Sequence, residues 1–292
     1  PTMADSSPDR LMQTPAVYVR PVDEGLPRSV EWGGVVVLFA LVVWLAMRIW
    51  ERLTSWEDGG WIVLGLLLGL VMADLMSGLG HWVFDRFGTE RTPILGKAFI
   101  HPFRYHHLDP IDITRGDFVG TWGKTSLGAA MLASPVAWLL PIERTDLLWP
   151  LVAGAALASM AFALAATNQI HKWAHTSNPN ALVRTLQQLR LILSPHHHQR
   201  HHTLPFASHY CITLGWWNGL LDRLRVFPVL EWLLRRKPDV EADAYLSLVH
   251  AQGLEGTPAP EPVGTPAVDK TSSNDVSAAS RGAGPTCETA PR

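Results

Sequence analysis

The chain has 292 residues, 47% of them apolar and 17% charged, with a formal net charge of -2 at pH 7. That balance excludes a nucleic-acid partner, which demands a strong basic excess. Two cysteines, Cys211 and Cys287, are too few for a disulfide scaffold or a cysteine-based zinc or iron–sulfur centre. The anomaly is histidine: thirteen are present, and eleven fall between His81 and His202.

Residues 1–28 carry Pro, Asp and Arg without periodicity and read as a disordered arm. No positive n-region with an apolar h-region opens the chain, so no cleaved signal peptide is expected. Val30 to Trp50 and Gly60 to His81 are then almost continuously apolar. As helices at ~1.5 Å per residue, each spans roughly 30 Å, the thickness of a bilayer core. Thr125 to Ile142, interrupted by Pro135, and Leu147 to Asn168 form a second pair around the turn Glu143-Arg144-Thr145-Asp146. The fold class expected is an all-α integral membrane protein, with four transmembrane helices in two hairpins and a histidine-rich helical cap.

The distribution of Arg and Lys orients these helices. Arg48 and Arg52 lie between the first two spans and Arg144 between the last two. By contrast, Arg86 to Lys124 holds six basic residues and Lys172 to Lys237 holds nine. Both basic stretches and both termini are therefore expected in the cytoplasm, and every histidine group with them. Leu182, Leu186, Leu189 and Leu193 recur at helical spacing within a helical region expected over Asn180–Leu234. Trp216, Trp217, Leu220, Leu221 and Trp232 look like interface anchors or core packing. The membrane domain is expected to cover 29–250, and the polar tail over 251–292 lacks the apolar surface to fold.

The histidines form four groups. His81 and Asp85 are i,i+4 neighbours, and Asp74, seven residues earlier, projects from the same face. An intramembrane aspartate needs a partner, so Asp74 serves either a helix–helix hydrogen bond or the support of a site. His106 and His107 are adjacent within His101-Pro-Phe-Arg-Tyr-His-His. Asn168, His171 and His175 share one helical stripe. In His196-His-His-Gln-Arg-His-His202, His197/His201 and His198/His202 are both i,i+4 pairs.

Imidazoles at i,i+4 reach one ion from one helix. One such pair is a modest signal, but this set offers more ligands than one tetrahedral zinc uses. Eight or nine imidazoles suit two ions with open positions, and an N/O-rich set of that kind suits iron and O2. His101 and His196 fit an outer role, His209 a structural one, and His250 begins the tail. The rivals are a lipid hydroxylase on the same metal pair, a membrane zinc hydrolase and a nonenzymatic metal carrier.

At these motifs the sequence resembles the Kua-type lipid desaturases, the plasmanylethanolamine desaturase family. The resemblance covers about Asp74 to Asp222. It rests on A-D-L-M-S-G-L-G-H-W-V-F-D, P-F-R-Y-H-H-L-D-P, D-I-T-R-G-D-F, N-Q-I-H-K-W-A-H, and H-H-Q-R-H-H followed by Y-C-I-T-L-G-W. It implies a di-iron site that inserts the vinyl-ether double bond of an alkyl ether phospholipid. His81, His106, His107, His171, His175, His198, His201 and His202 match the family's histidine pattern, with His197 beside them and Asp85 as the acidic member. Asp74 and Asn168 are expected to support the ligands.

The family often carries Arg in place of His101 and His in place of Gly116. After Phe118 this chain has Val-Gly-Thr-Trp-Gly-Lys in place of a Glu-Thr-Asn-Gly type, so related acyl-lipid chemistry stays open. O2 would be the co-substrate. No dinucleotide fingerprint or haem-attachment motif is present, so electrons are expected from an external ferredoxin or cytochrome b5 type donor. Arg104, Arg115 and Lys172 are candidates for the lipid phosphate.

Overall fold

The computed structural model describes residues 26–89, 91–203 and 206–234. The expected arm lies outside these residues except for its last three positions, and the expected tail over 251–292 lies wholly outside them. Among the described residues there is no strand. The helices are α1 (Arg28–Arg52), α2 (Trp56–Arg86), α3 (His101–Leu108), α4 (Asp112–Arg115), α5 (Phe118–Leu139), α6 (Trp149–Ala174), α7 (Ala181–Gln188), α8 (Pro195–Gln199), α9 (Asn218–Arg223) and α10 (Val226–Leu233).

Local chemistry sets the starts. Ser55 and Asp58 form a reciprocal capping box before α2, with Ser55 Oγ accepting from Asp58 N at 3.2 Å and Asp58 Oδ2 accepting from Ser55 N at 3.0 Å. Asp117 accepts from Gly120 N at 2.8 Å to start α5, and Ser194 caps α8 with Pro195 in its first turn.

Helices α1, α2 and α6 have 25, 31 and 26 residues and are long and apolar enough to cross a membrane. The expectation of four such helices is met in part: α5 has 22 residues but does not reach that hydropathy. Its first turns carry Gly120, Thr121, Gly123, Lys124 and Thr125, small or polar residues that trade lipid-facing bulk for close packing. Glu31 of α1 sits directly against Gly123, and Gly34 of α1 against Leu127.

The four long helices run in alternating directions. Thr125 Oγ1 donates to the Ala165 carbonyl at 2.9 Å and Asn168 Nδ2 to the Thr121 carbonyl at 3.2 Å, so α5 and α6 are antiparallel. Arg48 near the end of α1 donates to the Ala137 and Leu140 carbonyls at 2.8 and 2.6 Å, so α1 and α5 run the same way. Helices α2 and α6 also run together. A Cβ at Gly65 would lie 2.5 Å from the Val152 oxygen, and one at Gly69 would lie 2.0 Å from Ser159 Oγ. This glycine pair at i,i+4 lets two backbones touch, the usual device for packing helices in lipid.

The core consists of Leu38, Leu41, Leu45 and Ile49 of α1 against alanines of α5 and α6. The arrangement gathers the start of α1, the end of α2, the start of α5 and the end of α6 at one end of the bundle. Helix α2 runs to Arg86, past the apolar run, and so carries His81 and Asp85 beyond it on continuous helix.

The helical region expected over Asn180–Leu234 is broken into short pieces. Helix α7 ends at Gln188, and Arg190 adopts φ 57°. Residues 200–203 and 206–217 are mostly irregular, and 206–217 pack back against α2 and α6.

Candidate metal centre

Nine of the expected ligands converge at that end of the bundle, and they fall into two groups. His106, His171, His175, His198 and His202 form one; His81, Asp85, His107 and His201 form the other. Within each group the donor atoms lie within 4.8 Å of one another, and eight of the nine residues are buried, His175 being partly exposed. The sources are α2, α3, α6 and the α8 turn, so only the folded bundle brings them together.

In the first group His106 Nε2 lies 3.0 Å from His175 Nε2, His171 Nε2 2.8 Å from His198 Nε2, and His202 Nε2 2.9 Å from His198 Nε2. In the second, Asp85 Oδ2 lies 3.3 Å from His81 Nε2 and 3.4 Å from the Nε2 atoms of His107 and His201. The groups adjoin, since His81 and His171 have ring centroids 6.1 Å apart.

The donors fit bound metal. Nitrogens ~2.1 Å from one ion stand ~3.0 Å apart at right angles and ~3.4 Å apart at tetrahedral angles. The observed separations of 2.8–3.4 Å match that spacing. Tautomers add to the case. His81 Nδ1 donates to the Tyr210 carbonyl at 3.1 Å and His201 Nδ1 to the Ser208 carbonyl at 2.7 Å. In the neutral ring, each Nε2 is then a bare lone pair, and both face the Asp85 carboxylate. Lone pairs and an anion converge in a buried site only around a cation.

Burial, reinforced by the surrounding imidazoles, pushes His106, His198 and His202 well below the ordinary histidine value. It lowers His107 against the pull of Asp85 and takes His175 to about 3. These rings are neutral at neutral pH, the state in which imidazole binds metal.

The remaining expected residues have other employment. His197 belongs to neither group: its Nε2 is 3.0 Å from Asn218 Nδ2, and its ring is 5.0 Å from that of His209. The i,i+4 spacing of His197 and His201 does not bring them into one group, because His197 packs against Asn218 and His209 while His201 faces Asp85. Wholly buried Asp74 accepts the backbone N–H groups of Leu214, Gly215, Trp216 and Trp217 at 2.8, 2.9, 2.8 and 3.3 Å. Asn168 ties α6 to α5 and lies outside both groups. His209 pairs with Asp222 at 2.6 Å, in keeping with a structural role.

Of the three candidate phosphate ligands, Arg104 donates to the Asp85, Phe87 and Gly88 carbonyls at 3.2, 3.3 and 3.0 Å, closing the exposed end of α2. Arg115 pairs with Asp109 at 2.9 Å at the surface, and Lys172 donates to the Gly116 carbonyl.

Histidine spacing alone gave no hint of Ser77, whose Oγ accepts from Ile212 N at 3.2 Å, nor of the Tyr210 and Ser208 carbonyls. The one trace was the Tyr210–Trp216 run directly after the histidine cluster.

An all-helical bundle with three membrane-length apolar helices and a double histidine centre at one end defines a multi-pass membrane protein built to hold metal. Residues 70–244 match the lipid desaturase domain, and the chain belongs to that family. It is therefore an oxidoreductase of the desaturase class. It is 42% identical over 241 residues to a plasmanylethanolamine desaturase of Myxococcus xanthus, covering 80% of this chain and 83% of that one. It is 36% identical to plasmanylethanolamine desaturase 1 of Mus musculus, covering 71% and 77% of the two chains. With the chloroplastic fatty acid desaturase 4 of Arabidopsis thaliana it shares 37% identity over 56% of this chain and 48% of that one. No solved structure matches.

Proposed function

We propose that the chain is a di-iron, O2-dependent desaturase that introduces the vinyl-ether double bond into an alkyl ether phospholipid, converting plasmanylethanolamine to plasmenylethanolamine. The observation that carries this reading is the pair of adjacent buried donor groups, five imidazoles in one and three with a carboxylate in the other. The similarity to plasmanylethanolamine desaturases over most of the chain supports the choice of lipid.

Bound there, two iron ions would supply O2-dependent oxidation of an unactivated C–H bond, chemistry beyond any side chain. The nine residues His81, Asp85, His106, His107, His171, His175, His198, His201 and His202 would hold them. Asp85 offsets cationic charge, and the bonds from His81 and His201 to backbone carbonyls keep their Nε2 lone pairs aimed inward. Burial of eight of the nine would limit the access of water to the reaction space. The balance is one alkyl ether, O2, two electrons and two protons giving one vinyl ether and two waters. The electrons come from a ferredoxin or cytochrome b5 type donor docking on the basic face.

The membrane domain is assigned to residues 29–250, of which 235–250 lie outside the described residues. Helix α5 makes the fourth crossing, and both termini and the metal centre face the cytoplasm of a bacterial inner membrane. Among the basic residues, Arg115 and Lys172 are the candidates for the lipid phosphate, because Arg104 is committed to three carbonyls.

Lipid mass spectrometry on membranes of cells expressing the protein or its His202→Ala variant, fed an alkyl ether phospholipid, tests this. Loss of two hydrogens to give an acid-labile vinyl ether, absent with the variant, is the expected result. A gain of oxygen in its place would make the enzyme a hydroxylase. A new double bond in acyl chains alone would transfer it to the acyl-lipid chemistry for which the fatty acid desaturase 4 relatives are named.

A further inference from the structure

The two donor groups are chemically unlike. One offers five neutral imidazoles, whereas the other offers three and the Asp85 carboxylate. Their supports differ as well. His81 and His201 each donate Nδ1–H to a backbone carbonyl. The segment holding the Tyr210 carbonyl is tied to α2 in turn by Ser77 and Asp74. In the five-histidine group, the buried Nδ1 atoms of His106, His198 and His202 meet no hydrogen-bond partner among the described residues.

An imidazole whose far N–H is engaged by a carbonyl is held in orientation and is a more basic ligand. A carboxylate adds a full negative charge, and in a buried site its attraction for a cation is far stronger than in water. Both effects favour the Asp85 group. The fifth imidazole of the other group adds one neutral donor. The cost of leaving each group empty differs in the same direction. Without an ion the Asp85 group sets a buried anion against two lone pairs, but the other group sets only neutral rings against one another.

We propose that the two sites are unequal and are occupied in order. The Asp85 group takes the first ion and keeps it, and the five-histidine group holds the second, exchangeable ion. This rests on the reading of a two-ion centre. Enzyme carrying one ion per chain is then filled at Asp85, and metal starvation silences it by emptying the site built from α3, α6 and α8.

Iron counting under graded chelation tests the order. The full-length, iron-loaded protein in detergent is exposed to increasing chelator, and iron per chain is measured by elemental analysis. Loss in two phases is expected, with a plateau at one ion per chain and the phases separated by about 10–100-fold in chelator concentration. The His175→Ala variant, altered only in the five-histidine group, should be isolated with about one ion per chain and keep the resistant phase. Asp85→Asn should lose that phase, its iron leaving at concentrations at least about tenfold lower while its helical circular dichroism is unchanged. Loss of both wild-type ions in one phase would overturn the inference, as would a His175→Ala protein whose remaining ion is labile. Wild-type protein that never carries more than one ion per chain would instead bring down the two-ion reading beneath it.

Discussion

The Asp74 carboxylate of α2 accepts the backbone N–H of Trp216 at 2.8 Å, across 142 positions of sequence. The same carboxylate takes three more backbone donors, and below it Ser77 and His81 bind the same strand of chain at Ile212 and Tyr210. One helical stripe thus grips an irregular segment at three heights, and the lowest grip is on a candidate ligand. Asp74→Ala would strand four N–H groups, those of Leu214 and Gly215 in buried bonds and those of Trp216 and Trp217 in part-buried ones, at ~1–3 kcal/mol for each buried group that finds no other partner. The expected outcome is loss of folded protein in detergent extracts, followed by gel filtration. Asp74→Asn, which keeps one acceptor oxygen, should fold with a lower melting temperature and reduced iron.

Neighbouring histidines should behave differently. His198 Nε2 stands within 2.9 Å of both His171 and His202, whereas His197 is bound to Asn218 outside both groups. His198→Ala should abolish vinyl-ether formation and lower bound iron, but His197→Ala should keep at least about a hundredth of wild-type turnover, the loss of an outer partner costing ~10–100-fold at most. Product lipid and metal content, measured on the same preparations, decide it.

Arg104 closes the end of α2 with three carbonyl contacts. Arg104→Ala should therefore lower the melting temperature and the iron content rather than act only on the KM for lipid. Arg115, in an exposed ion pair with Asp109, is the contrast: its removal should cost less than about 1 kcal/mol of stability.

Acid should loosen the centre. His106, His107, His175, His198 and His202 are all held below the ordinary histidine value by burial. The unfolded chain therefore binds more protons than the folded one beneath about pH 6.5. Their contribution is complete above that pH and is lost as pH falls toward the folded values, about 3 for His175. Melting temperature and retained iron should be flat from pH 7 to 8 and fall progressively from pH 6.5 to 5.

A methyl group at Gly69 would lie 2.0 Å from Ser159 Oγ and 2.2 Å from the Ala156 oxygen. Backbone cannot yield as a flexible side chain does, so Gly69→Ala should force α2 from α6. Since His81 and His171 sit further along these two helices, iron content should fall with the yield of folded protein.

The apolar spans and the histidine groups were legible in the sequence because both depend on short-range spacing. His171/His175, His198/His202 and His81/Asp85 each stay together in one group, as i,i+4 neighbours should. The division into two groups was not legible. His106 and His107, like His201 and His202, are adjacent yet serve different groups, because successive side chains point in different directions and only the surrounding bundle says toward what. The grip of Asp74 on residues 214–217 was hidden for a related reason, since backbone donors have no sequence signature. The hydropathy pattern was least informative for α5, where glycine, alanine and hydroxyl residues serve helix contacts instead of lipid.

The three-level grip of α2 on the Tyr210–Trp217 segment also orders events during synthesis. Helices α1, α2 and α6 are apolar enough to enter the bilayer as they are made, but His198, His201 and His202, and the chain that braces them, are translated after all three. Insertion and metal capture are thus separate stages, the second triggered by the last part of the described chain. A chain that ends before Leu214 lacks all four backbone donors of Asp74, and its α2 carries a buried carboxylate with none of those partners.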